Sequence, residues 1–532
     1  MNEGRPRTTM APRPSARQLL NRILDQPGLC AAVQGLPPSA LARLIDHIGL
    51  EDSGELIALA TTEQLKKVFD EDLWKSDRPG QDETFDVDRF MVWLEILLEA
   101  GEQFAAHKVA ELSADLFTVA VHRHALVLDL DEVPEEMTDR SEDFLVDKAL
   151  DSCLSFEFGE YQLVSRTHDG WDALITVLAA LDKEHHDVLQ RTLVRCCHMS
   201  SEVIEESGGL LRVLKQDEML EQDAAAERED RRSEHGYIAP STAASFLALA
   251  RVTPLDQILA QTVDPVARAS FRAFDTAASV RARTQANAPH AASQQAPQGR
   301  DTARLVEVLQ QAQVLPSDRR SLLLQGDRTD TPDLDAPFRA VLHDQLDRDA
   351  KQYDRTVEEL AFVSNALVAG CSFAERSLRP LEAAEAVMAV CNLGLEHLGA
   401  QALIQHSAIT VFKVGWHLLY ENVVLASSRA LAGALAKKIK SVKNKEAIRQ
   451  LKQVEQAMLA AIQRGKPWQA RGRIEAHEFL FEEPGKSMLL ALLDELPTLT
   501  GDLATGPHLG RAHAYIATGA QVQRVQAFLK SL

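Results

Sequence analysis

Residues 36–74 read LPPSALARLIDHIGLEDSGELIALATTEQLKKVFDEDLW, and this stretch decides the fold. Leu41, Leu44, Ile45 and Ile48 recur at helical spacing, as do Leu56 with Leu59, and Leu65 with Val68 and Phe69. Ser39 after Pro37-Pro38 has the chemistry of an N-cap. Asp52 with Glu55, and Thr61 with Gln64, have capping-box spacing, in which a side-chain oxygen accepts from an otherwise orphaned amide. Helices of about ten residues are marginal alone. Their apolar stripes must be buried against neighbours, so the stretch predicts stacked short helix hairpins. Leu44, Ile45, Leu56 and Phe69 are expected to face inward, with Glu51, Asp52, Glu63 and Asp70 in water.

The segment around Leu36, Pro37, Pro38, Leu41 and Leu44, with a looser echo at Leu56 and Leu59, resembles the intracellular helical repeats of MgtE-type magnesium transporters. In that family an LPP turn opens each repeat, and the domain stacks helix hairpins and helps sense magnesium through acidic surfaces. The resemblance therefore implies a helical stack in a bacterial helical protein. It does not imply transport, because no pore and no regulatory partner domain follow in the sequence.

Outward from this stretch the chain keeps a helical character. Its 532 residues are 45% apolar and only 5% aromatic, which favours helix packing over sandwich or barrel cores. The overall expectation is a mainly α fold of stacked hairpins and a helical bundle, with a small β-hairpin near 155–165. There Phe156 and Phe158 alternate, Gly159-Glu160 supplies a turn, and Tyr161, Leu163 and Val164 follow. Residues 116–133 (LFTVAVHRHALVLDLDEV) are ambiguous, since branched residues that permit a strand continue a helical pattern. Asp129, Asp131, Glu132, Glu135 and Glu136 then form an acidic patch. Asp86 or Asp88 should cap the next helix, because the nearby acids lack the glycine and glutamate of an EF-hand. One helix is expected to end near the CCHMSSE segment, residues 196–202, with a broken helical region beyond it.

The domain plan reads as a disordered tail at 1–15, a repeat-like domain at 16–135, and a mainly helical domain with the hairpin at 136–283. A polar linker at 284–303 precedes a C-terminal helical domain at 304–532. No apolar signal region opens the chain, and the most apolar stretch, 408–435, carries Lys413, His417, Glu421 and Arg429, each costly in lipid. These features predict a cytoplasmic protein without a membrane span. The cysteines at 30, 153, 196, 197, 371 and 391 lack framework spacing and are expected to be reduced thiols.

The net charge of −21 is unevenly spread. Residues 51–140 hold 23 acidic and 8 basic residues, whereas 437–473 hold 11 basic and 2 acidic. Lys437, Lys438, Lys440, Lys443, Lys445, Arg449 and Lys452 form the basic face, and Glu51, Asp52, Glu63 and Asp70 the acidic one. Such polarity suits a protein partner or an intramolecular contact. Nucleic acid is disfavoured: Trp468 is the only aromatic between 437 and 473, and the chain as a whole is acidic.

Catalytic signals are sparse. The sequence has no GxSxG, GxGxxG or HExxH, and Gly208-Gly209 is not followed by GKS or GKT. His122 and His124 share a side only on a strand. His185-His186 diverge by about 100° on a helix, and His198 follows Cys197. A metal-dependent enzyme built from histidines and acids between 122 and 198 is one alternative, and a nucleic-acid-associated protein using the basic helix 437–452 is another. The main expectation is a non-enzymatic interaction, scaffold or regulatory module that needs no cofactor.

Overall fold

A computed structural model of the chain describes residues 15–76, 78–129, 154–205, 209–233, 236–261, 264–272, 298–312, 314–315, 336–373, 376–399, 401–476, 485–500, 503 and 514–531. The expectations for the N-terminal tail up to residue 14, the acids at 131–136 and residues 284–297 of the linker lie outside these residues, while 298–303, also expected as linker, begin helix Gln298–Gln311. The architecture is mainly α, with short antiparallel strand pairs. Two compact units form: 1–75, 83–232 and 284–317 make the first, and 76–82, 233–283 and 318–532 the second.

The first unit begins as expected. Helices Pro38–Ile48, Gly54–Leu59 and Thr62–Asp72 bury Leu44, Ile45, Leu56 and Phe69. Thr61 and Gln64 complete their capping box, the Thr61 amide donating to Gln64 Oε1 at 2.9 Å and the Gln64 amide to Thr61 Oγ1 at 3.2 Å. Gln64 does a second job. Its buried Nε2 donates to the carbonyls of Val33 and Leu36, both at 2.8 Å, and so holds the turn that leads into the LPP motif. Two expected caps differ. Pro37, not Ser39, is the N-cap, because the ring of Pro38 presets the first helical turn. Ser53 replaces Asp52 at the next start, its hydroxyl donating to the Gly49 carbonyl at 2.6 Å.

Glu51, Asp52 and Glu63 are exposed, but Asp70 is not. Helix Gly209–Ser233, one 25-residue element where a broken region was expected, lays three arginines over this corner. Arg231 holds both Asp70 carboxylate oxygens, at 2.6 and 3.0 Å. Arg228, itself buried, donates to the Asp70 carbonyl at 2.6 Å and reaches Glu83, with its guanidinium 4.8 Å from the Trp74 ring centre. Asp70 is thus part of a buried network. Asp70→Ala is expected to lower stability in urea unfolding by about 1–2 kcal/mol, since it removes a two-point charge-assisted pair whose carboxylate side is buried while half-exposed Arg231 returns to water. Glu51→Ala in the same assay should stay within about 0.5 kcal/mol.

The ambiguous stretch is both things in turn. Helix Ala114–His124 passes directly into strand Ala125–Asp129. That strand pairs antiparallel with Tyr161–Ser165, which also pairs with Ser155–Phe158, so the hairpin read from the sequence forms two-thirds of a three-stranded sheet. Asp86 caps Val87–Glu99 by accepting from the Arg89 amide at 3.2 Å. Helix His186–Glu205 does not stop at CCHMSSE. Cys196, Cys197 and Met199 continue its buried face, and only His198 between them faces outward.

The second unit is organised around two crossing helices, Pro380–Leu398 and Ala408–Leu419. Pro380 occupies the first turn, as its position in the sequence predicts. Gly394 and Gly415 lie at the crossing, where the backbones meet directly: a β-carbon at Gly415 would fall 2.0 Å from the Val390 carbonyl oxygen. The second of these helices runs on through a π-helical segment, Tyr420–Leu425, into Ala426–Ser441. Lys413, expensive in the apolar rod, is paired with Asp264 at 3.1 Å and bonded to Gln261 at 3.0 Å. Among the described residues no helix is long and apolar enough to cross a membrane.

Candidate anion-binding cleft

The residues read as a basic face divide between two helices and their junction. Lys437, Lys438 and Lys440 lie on Ala426–Ser441, Lys443 in the connection, and Lys445, Arg449 and Lys452 on Lys445–Gln463. All are exposed except Lys438, which is half-buried. Leu451, Val454, Met458 and Ala461 bury the opposite stripe, as the apolar periodicity predicts.

The second of these helices also forms one wall of a cleft of about 1030 Å³. Gln453, Gln456, Ala457 and Ala460 line that wall, and the chain then turns through Arg464, Lys466, Trp468 and Arg473. Helix Pro240–Val252 contributes Ala244, Ala248 and Arg251 to the other side, and Arg78–Gln81 closes a rim. The rim is fixed by close backbone packing. The Gly80 amide donates to the Ala369 carbonyl at 3.0 Å, and Gly80 has a φ of 78°. Gly370 beside it has no room for a side chain, because a β-carbon would lie 2.6 Å from the Ala244 nitrogen.

Charge in the cleft is one-sided. Among the described residues its single acid, Glu495, is bound to Arg251 in a buried pair and also accepts from the Ser372 amide at 2.8 Å. Arg251 is held between two indoles, its guanidinium carbon 4.4 Å from the Trp468 ring centre and 5.4 Å from that of Trp416. Nearby Asp494 is taken by Arg471 at 2.6 Å. Arg78, Arg464, Lys466 and Arg473 are left exposed, and none forms an ion pair with a described residue. Four cations around one concave surface repel one another, so an anion placed among them is favoured electrostatically.

The π-helical segment supports this arrangement. Tyr420, its first residue, packs with Val424, Leu425, Ile462 and Trp468, and its hydroxyl donates to the Gly465 carbonyl at 3.4 Å. Burial pushes the Tyr420 phenol up, so it stays protonated and remains a donor. The turn that carries Arg464 and Lys466 is therefore pinned from beneath.

The histidines do not assemble into a comparable site. His122 and His124 are both buried on helix Ala114–His124, where two residues of separation point them to different sides. Burial holds the His124 imidazole below its ordinary range. His186 Nδ1 lies 2.8 Å from Asp182, and His198 is exposed further along the same helix as His186. Among the described residues no group of three or more His, Cys, Asp or Glu side chains is placed to hold a metal ion. Cys371 and Cys391 are fully buried, which pushes both thiols up and away from the thiolate form.

Sequence reading found one edge of the cleft and missed the rest. Arg78 sits in what reads as a polar connection, and Arg251 and Glu495 are 244 residues apart. The usable signals were Pro79-Gly80 and the lone Trp468 in the basic region. Residues 3–270, half of the chain, match a family of unknown function designated DUF6178. The chain belongs to this family. No curated protein and no solved structure matches it. The DUF6178 region supplies the Arg78 rim and the Ala244–Arg251 wall, while the Gln453–Arg473 wall lies beyond it.

Proposed function

We propose that this DUF6178 member is a cytoplasmic interaction module that acts by holding an anionic partner in the cleft of its second unit, without a cofactor. The observation that carries this reading is the set of four exposed cations, Arg78, Arg464, Lys466 and Arg473, around a cleft whose one acid among the described residues is already neutralised. The basic face at Lys445, Arg449 and Lys452 extends the same field along the helix. In the first unit the exposed Glu51, Asp52 and Glu63 add an acidic surface that suits a basic partner.

Heparin serves as a generic polyanion for the test. The full-length chain should be retained at low salt and elute as screening rises. Arg464→Glu combined with Arg473→Glu should move elution to clearly lower salt, with an unchanged thermal melt. Lys437→Glu with Lys440→Glu should have the smaller effect. Elution unaffected by the first pair would remove the cleft as the anion site.

A further inference from the structure

The cleft offers more than positive charge. Gln453, Gln456 and Gln469 are exposed along it, and Ala457 and Ala460 form a low floor between them. At about 100° per residue, Arg449 falls on the helix surface between Gln456 and Ala460, about two and three turns before them. Lys445 and Lys452 lie at the edge of the same stripe. The track therefore runs from Arg449 past the glutamines to Arg464, a rise of roughly 22 Å at 1.5 Å per residue. An extended chain covers that length in about seven residues.

Resting on the reading of the cleft as an anion site, we infer that its occupant is an extended acidic segment of a partner protein, laid along helix Lys445–Gln463. Carboxylates at its two ends meet Arg449 and the Arg464, Lys466 and Arg473 group. Its backbone passes over the alanines and pairs with the glutamine carboxamides. A carboxamide both donates and accepts, and so does a peptide backbone, whereas a phosphodiester backbone only accepts. Laid along a phosphodiester backbone, as distinct from base edges, the glutamine carbonyl oxygens would meet no donor. The aromatic contribution points the same way. One face of Trp468 carries Arg251, and its ring packs with Tyr420, Val424 and Leu425, so it is not an open platform for stacking bases.

Fluorescence anisotropy with the full-length chain separates the choices, using labelled decaglutamate and labelled dT10 as probes. Decaglutamate is expected to bind at least ten-fold more tightly than dT10 at low salt. Arg464→Glu with Arg473→Glu should weaken it ten-fold or more, and Gln453→Leu with Gln456→Leu several-fold, while heparin elution of the glutamine variant stays put. Tighter binding of dT10, lost in the Arg464→Glu, Arg473→Glu variant, would overturn the acidic-segment inference and leave the anion cleft standing. Glutamine variants that bind decaglutamate like the parent chain would overturn the peptide-backbone pairing. Binding of neither probe, with heparin elution indifferent to the cleft arginines, would overturn both readings.

Discussion

Leu44→Asp unfolds the first unit. Leu44 has no exposed surface and packs among the stacked helices of the opening stretch. The substitution removes a buried leucine side chain, costing about 2–3 kcal/mol in transfer and packing. It also places a carboxylate where no cation or amide donor awaits it, which adds several kcal/mol or forces protonation. A total of roughly 5 kcal/mol is comparable to the whole stability of many domains. Far-UV circular dichroism and a urea titration of the purified chain should show the helical signal of this unit lost before denaturant is added. Leu56→Asp should behave alike. Glu51→Gln, on the exposed side of the same stack, should leave the titration unchanged, and an unfolded Glu51→Gln would mean that the inward and outward faces have been misassigned.

Gly415→Ala is expected to be nearly as damaging in the second unit, although it adds a single methyl group. The atom in the way is the Val390 carbonyl oxygen, a backbone atom that cannot rotate aside, and Gly394 is blocked in the same manner by Val411 at 2.1 Å. Relief requires the two central helices to move apart, and with them Phe412, Trp416 and Val387, all fully or almost fully buried. Overpacking of this kind costs typically 1–3 kcal/mol, and the upper end or beyond applies where backbone opposes backbone. The control is the same exchange at Gly433, mid-helix in Ala426–Ser441, where a β-carbon meets nothing within 4 Å. Gly433→Ala should stabilise by about 0.5–1 kcal/mol, because alanine gives up less backbone entropy in a helix. Opposite shifts in the denaturation midpoint for two Gly→Ala changes would establish the crossing. Equal shifts would refute it.

Local chemistry explains which parts of the fold were legible in the sequence. Thr61 and Gln64 are three residues apart and form the expected box, and Gly159-Glu160 makes the expected turn between paired strands. The change from helix to strand at Ala125 was half visible, since branched residues announced a strand but nothing marked where the helix would stop. Asp70 was misread for a different reason. On its own helix it resembles any surface acid, and the arginine that buries it stands 161 residues away. The cleft failed the same way. Lys445, Arg449 and Lys452 are contiguous and easily seen, whereas Arg78, Arg251 and Glu495 become neighbours only after folding. Spacing rules read one helix at a time, and this site is assembled from separate parts of the chain.

The wide turn at Tyr420–Leu425 has a bearing on how the chain compares with its own relatives. A π-turn contains one residue more than the α-helical turn it replaces. Everything after it, including the buried Leu431 and Leu435, is phased to that surplus residue. Removing one residue from the segment would rotate the following helix by about 100° and carry those leucines off the core. A relative with a continuous α-helix here must therefore show a one-residue gap at this point, and with it a different footing for the turn at Gly465. The gap is a mark that can be read in sequences alone, and it sorts relatives that retain the pinned cleft wall from those that have lost it.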